Sequence, residues 1–139
     1  FTSGYLSHLI TSVPGSSSYY RGSILAYDNE IKEKILNVSP DLIKTYGVVS
    51  KQVVKEMALS VKNIMGSDYA LSTTGIAGPL GGTVKTPVGT VWTAIAGPSG
   101  VKAERYQFGT QRSLNVKLGA NALLLNFLHQ LESDHKKIK

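Results

Sequence analysis

The chain has 139 residues, of which 42% are hydrophobic and 17% are charged, and its net formal charge is +6. This length fits one domain with one hydrophobic core, so we predict a single domain over residues 1–139. The composition excludes a disordered chain, and no apolar run approaches the roughly 18 residues that span a bilayer.

In the first half of the chain the predicted elements are mostly short. Pro14-Gly15 ends the first helix, and Ser50 is the N-cap of the strongest one. The apolar spacing predicts helices at 3–12, 30–36 and 51–65, a strand at 23–27, and a brief helix that begins at Ser39-Pro40.

The second half predicts a strand at 68–72, a glycine-rich loop at 74–82, a hairpin of strands 88–96 and 101–108, and a helix at 111–133. We expect Leu114, Leu118, Leu125 and Leu128 on the inner face of that last helix. Helices and strands are interspersed, and the hairpin requires an antiparallel pair. We therefore predict an α/β fold with a mixed β-sheet and helices on both faces, a three-layer α/β/α arrangement.

Cysteine is absent, which excludes disulfides, thiolate nucleophiles and cysteine-ligated zinc. This is compatible with a reducing cytoplasm, where we expect the protein to be located. The three histidines lie at His8, His129 and His135, with no spacing typical of metal ligands. We predict neither a metal nor another cofactor.

Two segments of the first half carry candidate chemistry. Gly15, Ser16 and Ser17 lie on a turn whose hydroxyl and N–H groups could bind phosphate, or supply a nucleophile. Tyr27 and Lys32 could converge at one sheet edge, and a serine–lysine pair is a known substitute for the Ser-His-Asp triad. The alternatives are a simple capping turn, a core tyrosine and a surface lysine.

The loop that begins at Thr74 is the most specific segment, because its glycines and prolines directly follow a predicted strand. Its spacing fits neither a P-loop nor a dinucleotide-binding fingerprint. Arg112 begins the last helix, where a guanidinium opposes the helix dipole and could hold a phosphate. The alternatives are a tight connection without a ligand and a solvated arginine.

Five segments together resemble the C-terminal domain of the competence/damage-inducible CinA family, which includes the nicotinamide mononucleotide deamidases. The resemblance covers nearly the whole chain, and its last two segments are highly specific as a pair. The segments are Val13-Pro14-Gly15-Ser16-Ser17, Tyr27-x-Asn29-x-x-Lys32, Tyr46-Gly47-Val48-Val49-Ser50, Thr74-Gly75-Ile76-Ala77-Gly78-Pro79 and Pro87-Val88-Gly89-Thr90-Val91.

The resemblance implies a cofactor-free amidohydrolase that converts nicotinamide mononucleotide and water to nicotinic acid mononucleotide and ammonia. Ser17 would be the nucleophile or orient the water, with Tyr27 and Lys32 as activating partners. Arg112 would bind the phosphate of the substrate. The remaining implied substrate-binding residues are Thr2, Gly15, Ser16, Thr74, Gly75 and Gly78.

The family pattern Glu-Ser-x-Thr-Gly-Gly is matched only at its end, by Thr2-Ser3-Gly4. We therefore expect the natural protein to continue upstream, with an N-terminal domain of the CinA type as one possible partner. The implied partners are a phosphorylated pyridine nucleotide and a second copy of the chain. The alternative is a non-catalytic domain that binds a nucleotide and regulates a partner domain.

A second alternative, a DNA-associated factor, is suggested by the positive charge and the family name. Part of the charge lies in the basic C-terminal segment His135-Lys136-Lys137-Ile138-Lys139. Cations suit the end of a helix, and no nucleic-acid motif accompanies them. We therefore expect neither a nucleic acid nor a membrane among the partners.

Overall fold

The computed structural model describes residues 1–138, and Lys139 of the basic C-terminal segment lies outside the described residues. A short 3-10 turn at Ser16–Ser18 follows the first helix. The helices are α1 (Tyr5–Thr11), α2 (Asn29–Lys34), α3 (Pro40–Tyr46), α4 (Lys51–Met65) and α5 (Arg112–Ile138), and the strands are β1 (Ala70–Gly75), β2 (Thr90–Gly97) and β3 (Gly100–Gln107).

Local chemistry fixes the ends of α4, which has the predicted bounds. The Ser50 hydroxyl accepts a hydrogen bond from the Val53 amide, and Gly66 ends the helix at a φ of +59°. A serine N-cap satisfies an otherwise unpaired amide, and glycine adopts the left-handed conformation at little cost. These two residues therefore explain why the sequence-based boundaries are correct.

The three strands form an antiparallel sheet in the order β1-β2-β3. The turn between β2 and β3 is tight, since Gly97 pairs directly with Gly100. The predicted hairpin is thereby confirmed. Within the described residues, β1 and β3 are the edge strands of this sheet.

Helices cover both faces of this sheet. Ala94 and Ala96 of β2 pack with Val54 and Ala58 of α4 on one face. On the other face α5 comes so close that a Cβ added at Gly119 would lie 3.4 Å from Val91 Cγ1. The α/β class with helices on both faces is confirmed.

The sheet is antiparallel throughout rather than mixed, because the strand predicted at 23–27 is not formed. Residues in this segment alternate as in a strand. Ile24 and Ala26 pack on the cluster around Leu36, whereas Leu25 and Tyr27 are exposed. A strand also needs a hydrogen-bonding neighbour, and an apolar pattern alone does not provide one.

The face predicted for α5 is wrong. Leu114, Leu118, Leu125 and Leu128 are all exposed. The inner face instead carries Asn115, Gly119, Ala120 and Leu123. Small side chains let a helix approach a sheet closely. The large leucines therefore lie on the opposite side of α5, which faces solvent. No helix within residues 1–138 combines the length and the apolarity that crossing a membrane requires.

Two leucines of α5 test this assignment of its faces. Leu123 is fully buried and Leu125 is 55% exposed. We expect Leu123→Ala to lower the free energy of unfolding by about 2–5 kcal/mol, because it leaves a cavity. Leu125→Ala should change it by no more than about 0.5 kcal/mol. Urea unfolding of both variants measures the difference, and equal losses would contradict the assignment.

Candidate functional site

The candidate site is built around residues 1 and 2, at the carboxyl end of β1. A Cβ added at Gly75 would lie 2.8 Å from Phe1 Cδ2, and one added at Gly119 would lie 2.9 Å from Phe1 Cε1. Both glycines therefore leave room for the aromatic ring. Thr2 is buried beside it, with its Oγ1 3.5 Å from Thr73 Oγ1.

α2 carries a buried lysine to this region. The helix begins after Asp28, whose carboxylate accepts a hydrogen bond from the Glu30 amide. Lys32 is only 7% exposed, and its Nζ donates to the Tyr27 carbonyl oxygen at 3.1 Å. Burial lowers the pKa of Lys32, and the charge of Asp28 offsets part of that shift. Burial thus favours the neutral amine, the form that can accept a proton.

Lys32 of α2 and Arg112 of α5 both lie near the amino group of Phe1. Burial lowers the pKa of the Phe1 amino group to about 6, and repulsion from Lys32 and then from Arg112 contributes to that shift. Both cations must be near enough to act on one amine. The structure therefore brings Lys32, Arg112 and Thr2 into one region.

The glycine-rich loop is held to the beginning of α5. Arg112 Nη1 donates to the Gly78 carbonyl oxygen at 2.9 Å, and Asn115 Nδ2 donates to the carbonyl oxygens of Ala77 and Gly109 at 3.0 Å. Gly78 has a φ of +92°, and a Cβ there would lie 2.5 Å from Val88 Cγ1. Glycine at this position permits both the conformation and the close approach.

Asn115 is the site residue that the sequence analysis missed. It is completely buried, and its Oδ1 has no hydrogen-bond partner among the described residues. A polar residue on the inner face of a helix requires a hydrogen-bond partner, so the position of Asn115 on that face would have indicated its role. It went unrecognised because the inner face of α5 was assigned to the leucines.

An open cleft of about 910 Å³ lies between the beginnings of α1 and α5. Its lining includes Thr2, His8, Thr110, Arg112 and Lys117. Two of these side chains are cationic, and others offer hydroxyl or imidazole groups. The cleft is therefore suited chemically to an anionic group such as a phosphate.

Of the other predicted site residues, some are buried and some are exposed. Ser16 is buried in the 3-10 turn that follows Gly15, whereas Ser17 is exposed. Tyr27 is 70% exposed, so its backbone carbonyl rather than its hydroxyl contacts Lys32. The Thr74 hydroxyl donates to the Val48 carbonyl oxygen at 3.0 Å. Within residues 1–138, no hydrogen bond joins Ser17 to Tyr27 or Lys32.

Comparison with known proteins identifies one family. The model of the CinA C-terminal domain matches residues 1–131. A CinA-like protein of Cytophaga hutchinsonii is 44% identical over 131 residues, which cover 94% of this chain and 31% of that protein. A CinA-like protein of Salinibacter ruber is 46% identical over 123 residues, covering 88% and 30%. The chain thus spans less than a third of these curated relatives.

Solved structures share the fold. A competence-damaged protein (CinA) superfamily protein from Enterobacter cloacae superposes with a TM-score of 0.90 at 29% identity, covering 94% of this chain and 77% of that one. The competence/damage inducible protein CihA from Agrobacterium tumefaciens gives 0.85 at 29% identity, covering 91% and 79%.

Two glycines of the loop test how tightly it is packed. Gly78 and Gly81 both have a positive φ, but a Cβ at Gly81 would approach no atom closer than Ile76 Cγ2 at 3.7 Å. We expect Gly81→Ala to cost about 1–2 kcal/mol of stability through its backbone alone. Gly78→Ala should cost more, because the methyl group also meets Val88. Thermal unfolding of both variants checks this, and a smaller loss at Gly78 would disprove it.

Proposed function

The chain belongs to the CinA C-terminal domain family, and from its site we propose that it hydrolyses the amide of nicotinamide mononucleotide, yielding nicotinic acid mononucleotide and ammonia. The observation that carries this proposal is the buried amine of Lys32, which, like Arg112, lies near enough to the Phe1 amino group to lower its pKa. A desolvated lysine can act as a base near neutral pH, whereas a solvated one is protonated.

In the proposed reaction, neutral Lys32 accepts a proton from the attacking hydroxyl group. That group is Ser17, or a water molecule that Ser17 orients. The new C–O bond forms at the carboxamide carbon, and the C–N bond then breaks. The lysine returns its proton to the departing nitrogen, which leaves as ammonia. Where Ser17 is the attacking group, a water molecule then attacks the resulting ester carbon and gives a proton to Lys32. The bond to the Ser17 oxygen breaks, that oxygen takes the proton back from Lys32, and nicotinic acid mononucleotide leaves. General acid–base catalysis of this type contributes about 10²–10⁴-fold to a rate.

The glycine-rich loop would stabilise the negative oxygen of the intermediate. The backbone amides of Ala77 and Gly78 make no hydrogen bond to another backbone group of the described chain, and are thus available as donors. Asn115 binds the Ala77 carbonyl oxygen, which belongs to the same peptide group as the Gly78 amide, and Arg112 binds the carbonyl oxygen of the next peptide group. One such donor is worth about 3–4 kcal/mol of the barrier.

Arg112 would also bind the phosphate of the nucleotide. Its Nη1 is engaged by Gly78, but the side chain is exposed and lines the open cleft. Lys117 lines the same cleft and adds a second positive charge. A charge-assisted hydrogen bond to phosphate contributes about 1.5–3 kcal/mol.

The second candidate is a domain that binds the nucleotide without hydrolysing it. It is favoured by the exposure of Ser17, which has no hydrogen bond to Lys32 within residues 1–138. Calorimetry with nicotinamide mononucleotide beside an ammonia assay separates the two functions. Heat of binding without ammonia would favour the second candidate.

Two lysines of α2 provide a matched test of catalysis. Lys32 is buried, whereas Lys34 is exposed and pairs with Glu30. We expect Lys32→Met to reduce ammonia release about 100-fold or more, because the base is lost. Lys34→Met should retain the activity of the parent chain. Circular dichroism verifies that both variants fold, and full activity of folded Lys32→Met would exclude the lysine as the base.

The role of Arg112 is tested by removing the phosphate from the substrate. Arg112→Ala should raise KM for nicotinamide mononucleotide about tenfold or more, which corresponds to the loss of at least one charge-assisted bond. KM for nicotinamide riboside, which lacks the phosphate, should be affected much less. An equal rise for both substrates would assign Arg112 to loop positioning alone.

A further inference from the structure

The free edge of β3 takes no part in the reaction proposed above. β3 pairs only with β2 in the described sheet, and its side chains are exposed or partly buried. Among the described residues, the backbone groups of Val101, Ala103 and Arg105 make no hydrogen bond outside the ladder with β2. An unpaired strand edge is a template for another strand.

The ladder between β2 and β3 shows which backbone groups point toward this edge. The amide of Phe108, directly after β3, donates to the carbonyl oxygen of Gly89, directly before β2, at 2.8 Å. In an antiparallel pair, residues that bond to the neighbouring strand alternate with residues whose backbone groups point away from it. The even-numbered residues of β3 therefore bond toward β2. The amides and carbonyls of Val101, Ala103 and Arg105 point outward.

We infer that this edge binds the same edge of a second copy of the chain, in antiparallel orientation about a two-fold axis at Ala103. The two sheets of three strands would then form one continuous sheet of six. In this register the Ala103 residues of the two copies exchange both hydrogen bonds, and Val101 of each copy exchanges them with Arg105 of the other. Each copy contributes the same strand, so the interface is self-complementary.

The charges on β3 select this register. Lys102 and Glu104 are two residues apart, so they lie on one face of the strand, and both are exposed. With Ala103 on the axis, Lys102 of each copy lies opposite Glu104 of the other. This is a non-hydrogen-bonded position, where the side chains of neighbouring strands are closest. Opposite charges directly across an antiparallel pair stabilise it.

The two adjacent registers bring like charges together. An axis at Lys102 places the Lys102 side chains of the two copies opposite each other, and an axis at Glu104 does the same with the two carboxylates. Charges on an edge strand commonly prevent edge-to-edge pairing. Here they exclude the two adjacent registers and favour the one between them. The charge pattern of β3 is therefore complementary to a second copy of itself.

The other face of the same edge adds apolar contact. Val101 and Ala103 are partly buried, and they pack against the cluster that includes Val54 and Ala58 of α4. In the inferred pair, Ala103 lies against Ala103 of the other copy, and Val101 lies against the aliphatic stem of Arg105. The apolar clusters of the two copies would thus continue across the interface.

Reversal of the two charges tests the register. The parent chain should be dimeric, and K102E and E104K should each raise the dimer dissociation constant about tenfold or more, because like charges then lie opposite each other. The double variant K102E/E104K restores opposite charges and should dimerise like the parent chain. An equimolar mixture of the two single variants should form a heterodimer. Sedimentation equilibrium measures each case, and circular dichroism verifies that each variant folds.

Lys44→Glu is the matched control, because it makes the same change of charge at an exposed position of α3. It should leave the dissociation constant unchanged, and an equal weakening would overturn the inference. Amide hydrogen exchange at Val101, Ala103 and Arg105 should slow about tenfold or more as the dimer forms, because only the dimer pairs these amides.

Three further results would overturn the inference. One is a parent chain that stays monomeric. Another is a dimer in which the outward amides of β3 exchange as fast as in the monomer, since the contact would then lie on another surface. The third is a pair of folded single variants that do not associate when mixed, since opposite charges would then not set the register.

Discussion

The burial of the Lys32 amine constrains the arrangement around it. An ammonium group loses hydration when it is buried, so a folded protein keeps such a group only where partners offset the loss or where the neutral form suffices. Lys32 has one carbonyl partner, from Tyr27, and a second cation, Arg112, is near enough to act on the same amine of Phe1. The negative charge of Asp28 offsets only part of the effect of burial on the pKa of Lys32. The region is thus electropositive and partly desolvated, which suits an anionic group and a neutral amine.

α5 connects this charge to the geometry of the loop. Asn115 and Arg112, one helical turn apart, hold the carbonyl groups of Ala77 and Gly78, so the loop amides have a fixed position relative to the cations. Gly119, one turn further along, leaves the space that Phe1 occupies. One face of one helix therefore positions the loop, the guanidinium group and the first residue of the chain. A change on this face affects the site and the core together.

Sequence reasoning succeeded where local chemistry decides the structure and failed where distant contacts do. Capping by Ser50 and Gly66 fixed α4, and the tight turn at Gly97 and Gly100 fixed the hairpin. The segment 23–27 has the alternation of a strand, but hydrogen bonding depends on a neighbour that no local pattern reveals. On α5 the helical spacing of the leucines predicted the wrong inner face, because the opposite stripe, with its small residues, packs on the sheet. At the site, Lys32 and Arg112 were predicted, whereas the contact through the Tyr27 carbonyl and the part of Asn115 depend on tertiary structure.

The most direct test of the account is a titration of the lysine side chains by nuclear magnetic resonance, with Lys34 on the same helix as the internal reference. We expect the Lys32 amine to lose its proton at a lower pH than an ordinary lysine side chain, since burial lowers its pKa. Adding nicotinamide mononucleotide should perturb the Lys32 signal and leave that of Lys34 unchanged. A Lys32 amine whose pKa is that of an ordinary lysine side chain, and which does not respond to the nucleotide, would contradict the proposed chemistry.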